Sequence, residues 1–348
     1  MKISDIDSNL KIKSSVSEKN VRFFNASEKP FSVHGVFVPD KEENYYRRMP
    51  HSAAKQVNAG VEYLAKNTAG GRVRFRTDSP YVAIRAEYPE VCVMNHMAQC
   101  GIQGFSLYAD DVFVGSFIPN RKKKYEGIIY LPKGKMRNIT IYFPLYNSLS
   151  KLYIGLDKGS EILEEIPYKI ASPVVFYGSS ITQGGCASRP GTDYEGFLSR
   201  ALGCDYLNLG FSGSAKGEIF HAQYIAGLDM SAFVMDYDHN APNAEHLEKT
   251  HEAFFKEFRK AKPDTPVIFI SRPELPRTED REKRFAVIKK TYDNAVANGD
   301  KNVYLIDGGT FFKDSEFNDA TVDNCHPTDF GFYLMAKGIE PVLANCIL

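Results

Sequence analysis

The chain has 348 residues, long for one domain and comfortable for two. Hydrophobic residues make up 43% and charged ones 25%, an ordinary globular composition. Lys+Arg and Asp+Glu both total 43, and a net charge of zero argues against nucleic acid or an anionic membrane as partner.

The opening Met1-Lys2-Ile3-Ser4-Asp5-Ile6-Asp7 has no apolar core, so no signal peptide is visible and a cytoplasmic location is expected. From about residue 30 to 158 the pattern has period two. Arg72-Val73-Arg74-Phe75-Arg76-Thr77 alternates strictly, which predicts Val73 and Phe75 inward and three arginines outward. Val82, Ile84 and Ala86 repeat this between Tyr81 and Tyr88. Phe105 to Val114 reads as a hairpin turning at Asp110-Asp111. The basic run Arg121-Lys122-Lys123-Lys124 reads as a solvated loop. Ile139, Ile141 and Phe143, then Leu152, Ile154 and Leu156, complete the inward sets. One helix is expected around Ala53 to Lys66. Many short strands with Gly, Pro and Asp turns predict an N-terminal β-sandwich over residues 1–160. Lys158-Gly159-Ser160-Glu161 and Glu164-Glu165-Ile166-Pro167 form the expected linker.

After residue 172 the period changes. Apolar strands at 173–178, 204–209, 232–237, 266–271 and 302–306 alternate with helical stretches, the signature of a parallel sheet buried on both faces. A helical segment is expected to begin near Thr192. Asn243 is placed to cap a helix carrying Leu247, Phe254, Phe255 and Phe258 on one face. A later helix carries Phe285, Ile288, Tyr292 and Val296, with Gly299 at its C-terminal stop. The longest apolar runs, such as Val267-Ile268-Phe269-Ile270, are far too short to span a bilayer. Cys92, Cys100, Cys186, Cys204, Cys325 and Cys346 form no CxxC pair and no metal-ligand spacing, which fits free thiols in a reducing compartment.

The chemistry concentrates at strand ends. Val174-Val175-Phe176-Tyr177 runs into Gly178-Ser179-Ser180-Ile181-Thr182, which puts Ser180 where α/β folds place ligands and catalysis. Nearly 150 residues later stands Asp323-Asn324-Cys325-His326-Pro327. In a tight turn the Asp323 carboxylate reaches one ring nitrogen of His326, leaving the other for Ser180. Thr328 is the expected cap of the last helix. Nucleophile, base and orienting carboxylate are thus all available for ester cleavage. Such a serine also needs donors aimed at the oxyanion. The strand ending in Gly210-Phe211-Ser212-Gly213 offers glycine amides, and Asn240, after the next strand, offers a side-chain donor. A Gly-x-Ser-x-Gly elbow is not met, because Thr182 follows Ser180 by two.

Residues 172–348 resemble the SGNH hydrolases, the GDSL esterase superfamily, named for Ser, Gly, Asn and His in four blocks. The matching positions are Ser180, Gly213, Asn240 and His326, with Asp323 as the acid. The tracts Gly184-Gly185-Cys186-Ala187-Ser188-Arg189-Pro190-Gly191 and Asn208 to Gly213 resemble a bacterial subgroup with a β-sandwich before the hydrolase. Its Gly-x-x-Leu-Tyr element is similar to Gly104-Phe105-Ser106-Leu107-Tyr108. Two departures are Ser179, in place of the aspartate usual before the nucleophile, and Ala241, in place of an acid. Altered loop bracing, not loss of chemistry, is expected from them. The resemblance implies a flavodoxin-like five-stranded parallel sheet flanked by helices, preceded by a jelly-roll-like sandwich, with Ser180, Gly213 and Asn240 forming an oxyanion hole. It also implies hydrolysis without metal or organic cofactor.

The expected substrate is a small-molecule or oligosaccharide ester, most of all an O-acetylated carbohydrate. The alternatives are a lipase or thioesterase of the same superfamily, and a non-catalytic carbohydrate-binding protein. Arg189 and Glu218 are candidate substrate-binding residues, with a surface salt bridge as the other reading of Arg189. His221, His239, His246 and His251 are expected to be surface or packing residues. The sequence sets no oligomeric state.

Overall fold

The computed structural model describes residues 6–7, 15–132, 134–273, 278–313, 315 and 319–348. Two antiparallel sheets build the N-terminal part. The first orders β1 (Val21–Asn25), β9 (Lys151–Asp157), β4 (Tyr81–Glu87) and β7 (Lys124–Tyr130). The second orders β10 (Ile162–Leu163), β3 (Arg72–Thr77), β8 (Arg137–Tyr142), β5 (Phe105–Ala109) and β6 (Val112–Phe117), with β2 (Ser32–His34) also on β3. Alternation puts Val73, Phe75, Val82, Ile84, Ile139, Ile141, Leu152 and Ile154 into one buried cluster between the sheets. The β5–β6 hairpin turns at Asp110 and Asp111, at φ 51° and 62°, a left-handed pair that aspartate tolerates. Arg121 to Lys123 lie in the exposed β6–β7 connection, and Lys124, also exposed, opens β7.

Three expectations are corrected here. The helix around Ala53 to Lys66 is two short helices, His51–Val57 and Ala59–Leu64, because Asn58 is extended and caps the second through Val61 N (2.9 Å). The expected linker carries a strand: β10 pairs with β3, and Thr77 and Arg76 side chains donate to the carbonyls of Glu161 and Glu164. Arg72 and Arg74 do leave the sandwich core, yet both are buried, because the outer face of β3 packs against the C-terminal half. There Arg72 pairs with Asp205 and donates to Tyr168 Oη (2.7 Å), and Arg74 pairs with Glu165 (2.6 Å).

The C-terminal half is a five-stranded parallel sheet ordered β12 (Cys204–Gly210), β11 (Ile170–Gly178), β13 (Ala232–Asp236), β14 (Val267–Ile270) and β15 (Val303–Ile306). This is the flavodoxin-like order, with β11 at the point where the winding reverses. Helices Tyr194–Leu202, Ile219–Ala226, Ala244–Ala261, Glu279–Ala297 and Asp329–Ile347 cover the sheet. Val174 and Phe176 bury into one cluster, Val175 and Tyr177 into the other. Sandwich residues Tyr108, Tyr142, Leu145 and Tyr146 join the first, while Met49, Ala54 and Val61 join the second, so apolar packing is continuous across the two halves. Asn243 caps its helix through His246 N (2.8 Å), and Leu247, Phe254, Phe255 and Phe258 are buried as the stripe predicts. In Glu279–Ala297 the buried stripe is instead Arg281, Arg284, Ile288, Thr291 and Ala295, with Val296 exposed. The helix is rotated because Arg281 and Arg284 point inward to Asp307 and Asp238. Among the described residues no helix is long and apolar enough to cross a membrane.

His34 joins the two halves, with Nε2 2.7 Å from Glu165 Oε1 and Nδ1 3.0 Å from Asp205 Oδ2. Burial alone would depress the imidazole, but hydrogen bonds to Asp205 and Glu165 outweigh it and raise its pKa above 6.5. The stabilisation is therefore complete below pH 6.5 and is lost as pH rises through the raised folded value. His34→Asn is expected to remove that alkaline loss, as read by melting temperature against pH. Parallel profiles for wild type and variant would contradict the role given to His34.

Candidate active site

Strand β11 delivers the serine through a turn that needs glycine. A Cβ on Gly178 would lie 2.0 Å from Thr182 Oγ1 and 2.5 Å from Asp236 O. The turn closes through Gln183 N to Ser179 O (3.0 Å) and Gly185 N to Ser180 O (2.7 Å). Ser179 is buried, and its Oγ accepts from Ile181 N at 3.1 Å. It thus braces the turn in the place of the usual aspartate. Ser180 is left half-exposed at the sheet edge. Beneath it, Thr182 Oγ1 and Tyr194 Oη donate to Asp236 Oδ2 at 3.2 and 3.1 Å. Burial pushes the Asp236 carboxyl up to about 8.

The second arm is the turn before the last helix, where Thr321 bridges to Pro327 and Val322 N donates to His326 O (2.8 Å). Asn324 takes φ 62° to make the turn. Asp323 Oδ1 accepts from the amides of His326 (2.7 Å) and Cys325 (3.1 Å), and Oδ2 lies 2.8 Å from His326 Nδ1. His326 Nε2 in turn lies 2.9 Å from Ser180 Oγ. Burial alone would raise the Asp323 carboxyl, but the His326 amide, imidazole and charge outweigh it and hold its pKa below 3.8. An ionised Asp323 fixes the proton on Nδ1 and leaves Nε2 to accept from Ser180, the arrangement of an activated nucleophile. Thr328 caps the following helix through Gly331 N (3.3 Å), as expected.

Block three departs from expectation. Asn240 Oδ1 accepts from Gly213 N (3.0 Å), and Asn240 Nδ2 donates to Phe211 O and Ala215 O, both at 2.9 Å. Both amide hydrogens of Asn240 are thereby engaged, so it clamps the Phe211–Ala215 turn and does not offer a free oxyanion donor in this arrangement. Gly213, at φ 64° with open space where a Cβ would stand, faces outward, but its N–H is held by Asn240. Arg284 fastens the same region through Asp238 Oδ1 (3.1 Å) and Ala241 O (3.0 Å).

Arg189 and Glu218 both have partners within the protein. Arg189 donates to Tyr108 Oη (2.7 Å) and stacks on Phe113 at 3.7 Å, which pins the β5–β6 hairpin to the nucleophile loop. Glu218 accepts from Asn58 Nδ2 (2.8 Å) and Lys216 N (2.9 Å), a structural anchor for the Ala59–Leu64 helix. Among the histidines, His221 packs edge-on to Tyr177 at 4.7 Å and His251 hydrogen-bonds Thr291 at 2.9 Å, both buried.

Two contributors escaped the sequence reading. Tyr146 Oη donates to Ser180 O (3.1 Å), and buried Arg48 donates to Asn208 Oδ1 (3.1 Å) and to Gly210 O. Both belong to the sandwich half and reach the site by tertiary apposition, which leaves no mark on local periodicity. A concavity of about 700 Å³, lined by Phe255, Arg259, Ala295 and Asp300 among others, opens beside the starts of β14 and β15. That is the sheet edge opposite to Ser180.

The family described as GDSL-like lipase/acylhydrolase matches residues 171–344, and the one described as the N-terminus of the SGNH-hydrolase-type esterases matches residues 21–162. Among solved structures, one described as a GDSL-like lipase from Bacteroides ovatus shares 28% identity at a TM-score of 0.84, covering 94% of this chain and 98% of the other. The salicylyl-acyltransferase SsfX3 of a tetracycline biosynthetic pathway shares 19% at a TM-score of 0.77, with coverage of 94% and 98%. An acetyl xylan esterase from Butyrivibrio proteoclasticus shares 14% at a TM-score of 0.60, with coverage of 93% and 98%. The last two show likeness of fold. A search of curated proteins finds no match.

If Asn240 is a clamp, Asn240→Ala leaves Gly213 N and two carbonyls without their partner and lowers stability, at ~1–3 kcal/mol for each buried group left unsatisfied. Denaturant unfolding measures this. Unchanged stability with a kcat loss of ~10²–10³-fold would instead identify a donor to the transition state.

Proposed function

Because the chain belongs to the GDSL-like lipase/acylhydrolase family, we propose that it is a serine esterase that removes short acyl groups, acetyl above all, from carbohydrate. The observation that carries the esterase reading is the unbroken chain from Ser180 Oγ to His326 Nε2 (2.9 Å) and from Nδ1 to Asp323 (2.8 Å). In this reading Ser180 attacks the acyl carbon while His326 takes its proton and returns it to the leaving alcohol. Asp323 keeps the imidazole in the required tautomer and stabilises the imidazolium. Water then repeats the sequence on the acyl-enzyme. The Ser180 N–H is the first oxyanion donor, and the Gly213 N–H joins it by leaving Asn240 Oδ1.

For the substrate, the reading is supported by the sandwich half packed against the hydrolase half and by the acetyl xylan esterase that shares the fold. The Bacteroides ovatus relative, described as a lipase, supports the second reading, longer acyl chains.

Ser180→Ala is expected to remove up to ~10⁶-fold of kcat, and Asp323→Asn at most ~10⁴-fold, with both proteins folded normally. Aryl esters of two to eight carbons and acetylated oligosaccharides, followed by acetate release, test the substrate. An acyl chain that finds no room changes discrimination by ~10–200-fold, so hydrolysis should fall steeply from acetyl to butyryl. Octanoyl esters outrunning acetyl ones, with no acetylated sugar cleaved, would establish the lipase reading.

A further inference from the structure

Three segments bring metal-ligating side chains together beside the serine. The connection between β4 and β5 carries His96 from the sandwich half, its ring edge-on to His326 with centroids 5.6 Å apart. Cys186 sits in the nucleophile loop, 8% exposed, on backbone held at φ 73°. The candidate ligand atoms of His96, Cys186 and His326 all lie within 4.8 Å of one another. Two imidazoles and a sulfur suit Zn²⁺ or a softer divalent ion, whereas Mg²⁺ and Ca²⁺ require oxygen. Tetrahedral Zn²⁺ with bonds of ~2.0–2.3 Å sets its ligands roughly 3.3–3.8 Å apart. Separations of up to 4.8 Å therefore need to contract by about 1–1.5 Å, with water in the fourth position.

His326 Nδ1 already faces Asp323 at 2.8 Å, so Nε2 is the nitrogen left for a metal. A carboxylate holding the far nitrogen of a ligating histidine is also the usual support of zinc sites. That same Nε2 faces Ser180 Oγ. We infer that a Zn²⁺ or Cd²⁺ ion binds His96, Cys186 and His326 and reversibly blocks the enzyme by occupying the nitrogen that accepts the Ser180 proton. The inhibitory part rests on the role proposed for His326. Binding takes the Nε2 lone pair of His326 and one imidazole lone pair of His96. The Cys186 thiol releases its proton to solvent as its sulfur joins the ion, and no electron is transferred.

Zn²⁺ is titrated calorimetrically into wild type, His96→Ala, Cys186→Ser and Ser180→Ala, and aryl acetate hydrolysis is followed in parallel with Zn²⁺, Mg²⁺ and a chelator. One Zn²⁺ per chain is expected, with affinity at least tenfold weaker in the His96 and Cys186 variants and retained in Ser180→Ala. Zn²⁺ should inhibit wild type, the chelator should restore it, Mg²⁺ should be inert, and the two ligand variants should resist. Cd²⁺ should add an ultraviolet thiolate-to-metal band that Cys186→Ser lacks. Zn²⁺ affinity unchanged in both ligand variants, absence of a stoichiometric site, or full activity with the site occupied would each overturn the inference. Because calorimetry needs no turnover, a wild type without esterase activity would sink the proposed function while the metal site is still decided.

Discussion

The buried guanidinium of Arg48 is the constraint on which the assembly of the site depends. It donates to Asn67 O (2.9 Å) and Leu64 O (2.9 Å) within the sandwich half. It also donates to Asn208 Oδ1 (3.1 Å) and to Gly210 O at the end of β12. Its planar fork also covers the Phe211 ring at 4.5 Å. Burial lowers its pKa to about 9, so it remains a cation at neutral pH. Removing a charge that satisfies several carbonyls in a dry interface would leave those acceptors unpaired, which is far costlier than losing a surface pair.

Several further contacts descend from this joint. Arg48 fixes the end of β12, and Asn208 Nδ2 donates to Glu195 Oε1 at 3.1 Å, tying β12 to the helix that follows the nucleophile loop. Gly210 lies against that loop so closely that a Cβ would stand 2.3 Å from Gln183 N. Gln183 Oε1 accepts from Ser212 N (3.1 Å), and Asn240 clamps the next turn. The nucleophile turn, the glycine turn and the Asn240 turn are thus one hydrogen-bonded body, and His326 reaches Ser180 from its own short turn before the last helix. Such a site is preorganised by backbone contacts and needs little rearrangement to hold the serine in place.

Much of this was legible in the sequence, and the reason is periodicity. The five parallel strands, the caps at Asn243 and Thr328, and the Asp110-Asp111 hairpin all follow from local pattern and turn chemistry. The Asp323–His326 contact followed from chemical logic, since residues i and i+3 can meet in a tight turn, and the free ring nitrogen stands 2.9 Å from Ser180 Oγ. What sequence could not show was the partner of each outward-facing charge. Arg72 and Arg74 alternate like solvent residues but end inside an interface, and Arg281 and Arg284 rotate their helix away from its apolar stripe. Asn240 was assigned by chemical type, whereas its three hydrogen bonds depend on where Phe211, Gly213 and Ala215 fold.

The central claim is that Ser180 is the activated nucleophile, and covalent trapping tests it most directly. A fluorophosphonate added to the folded protein should give one phosphonyl adduct per chain, mapped by peptide mass spectrometry to Ser180 and lost in His326→Ala. Ser179, buried and engaged with Ile181 N, should remain unlabelled. An adduct on another serine, or none at Ser180 in the wild-type protein, would contradict the account.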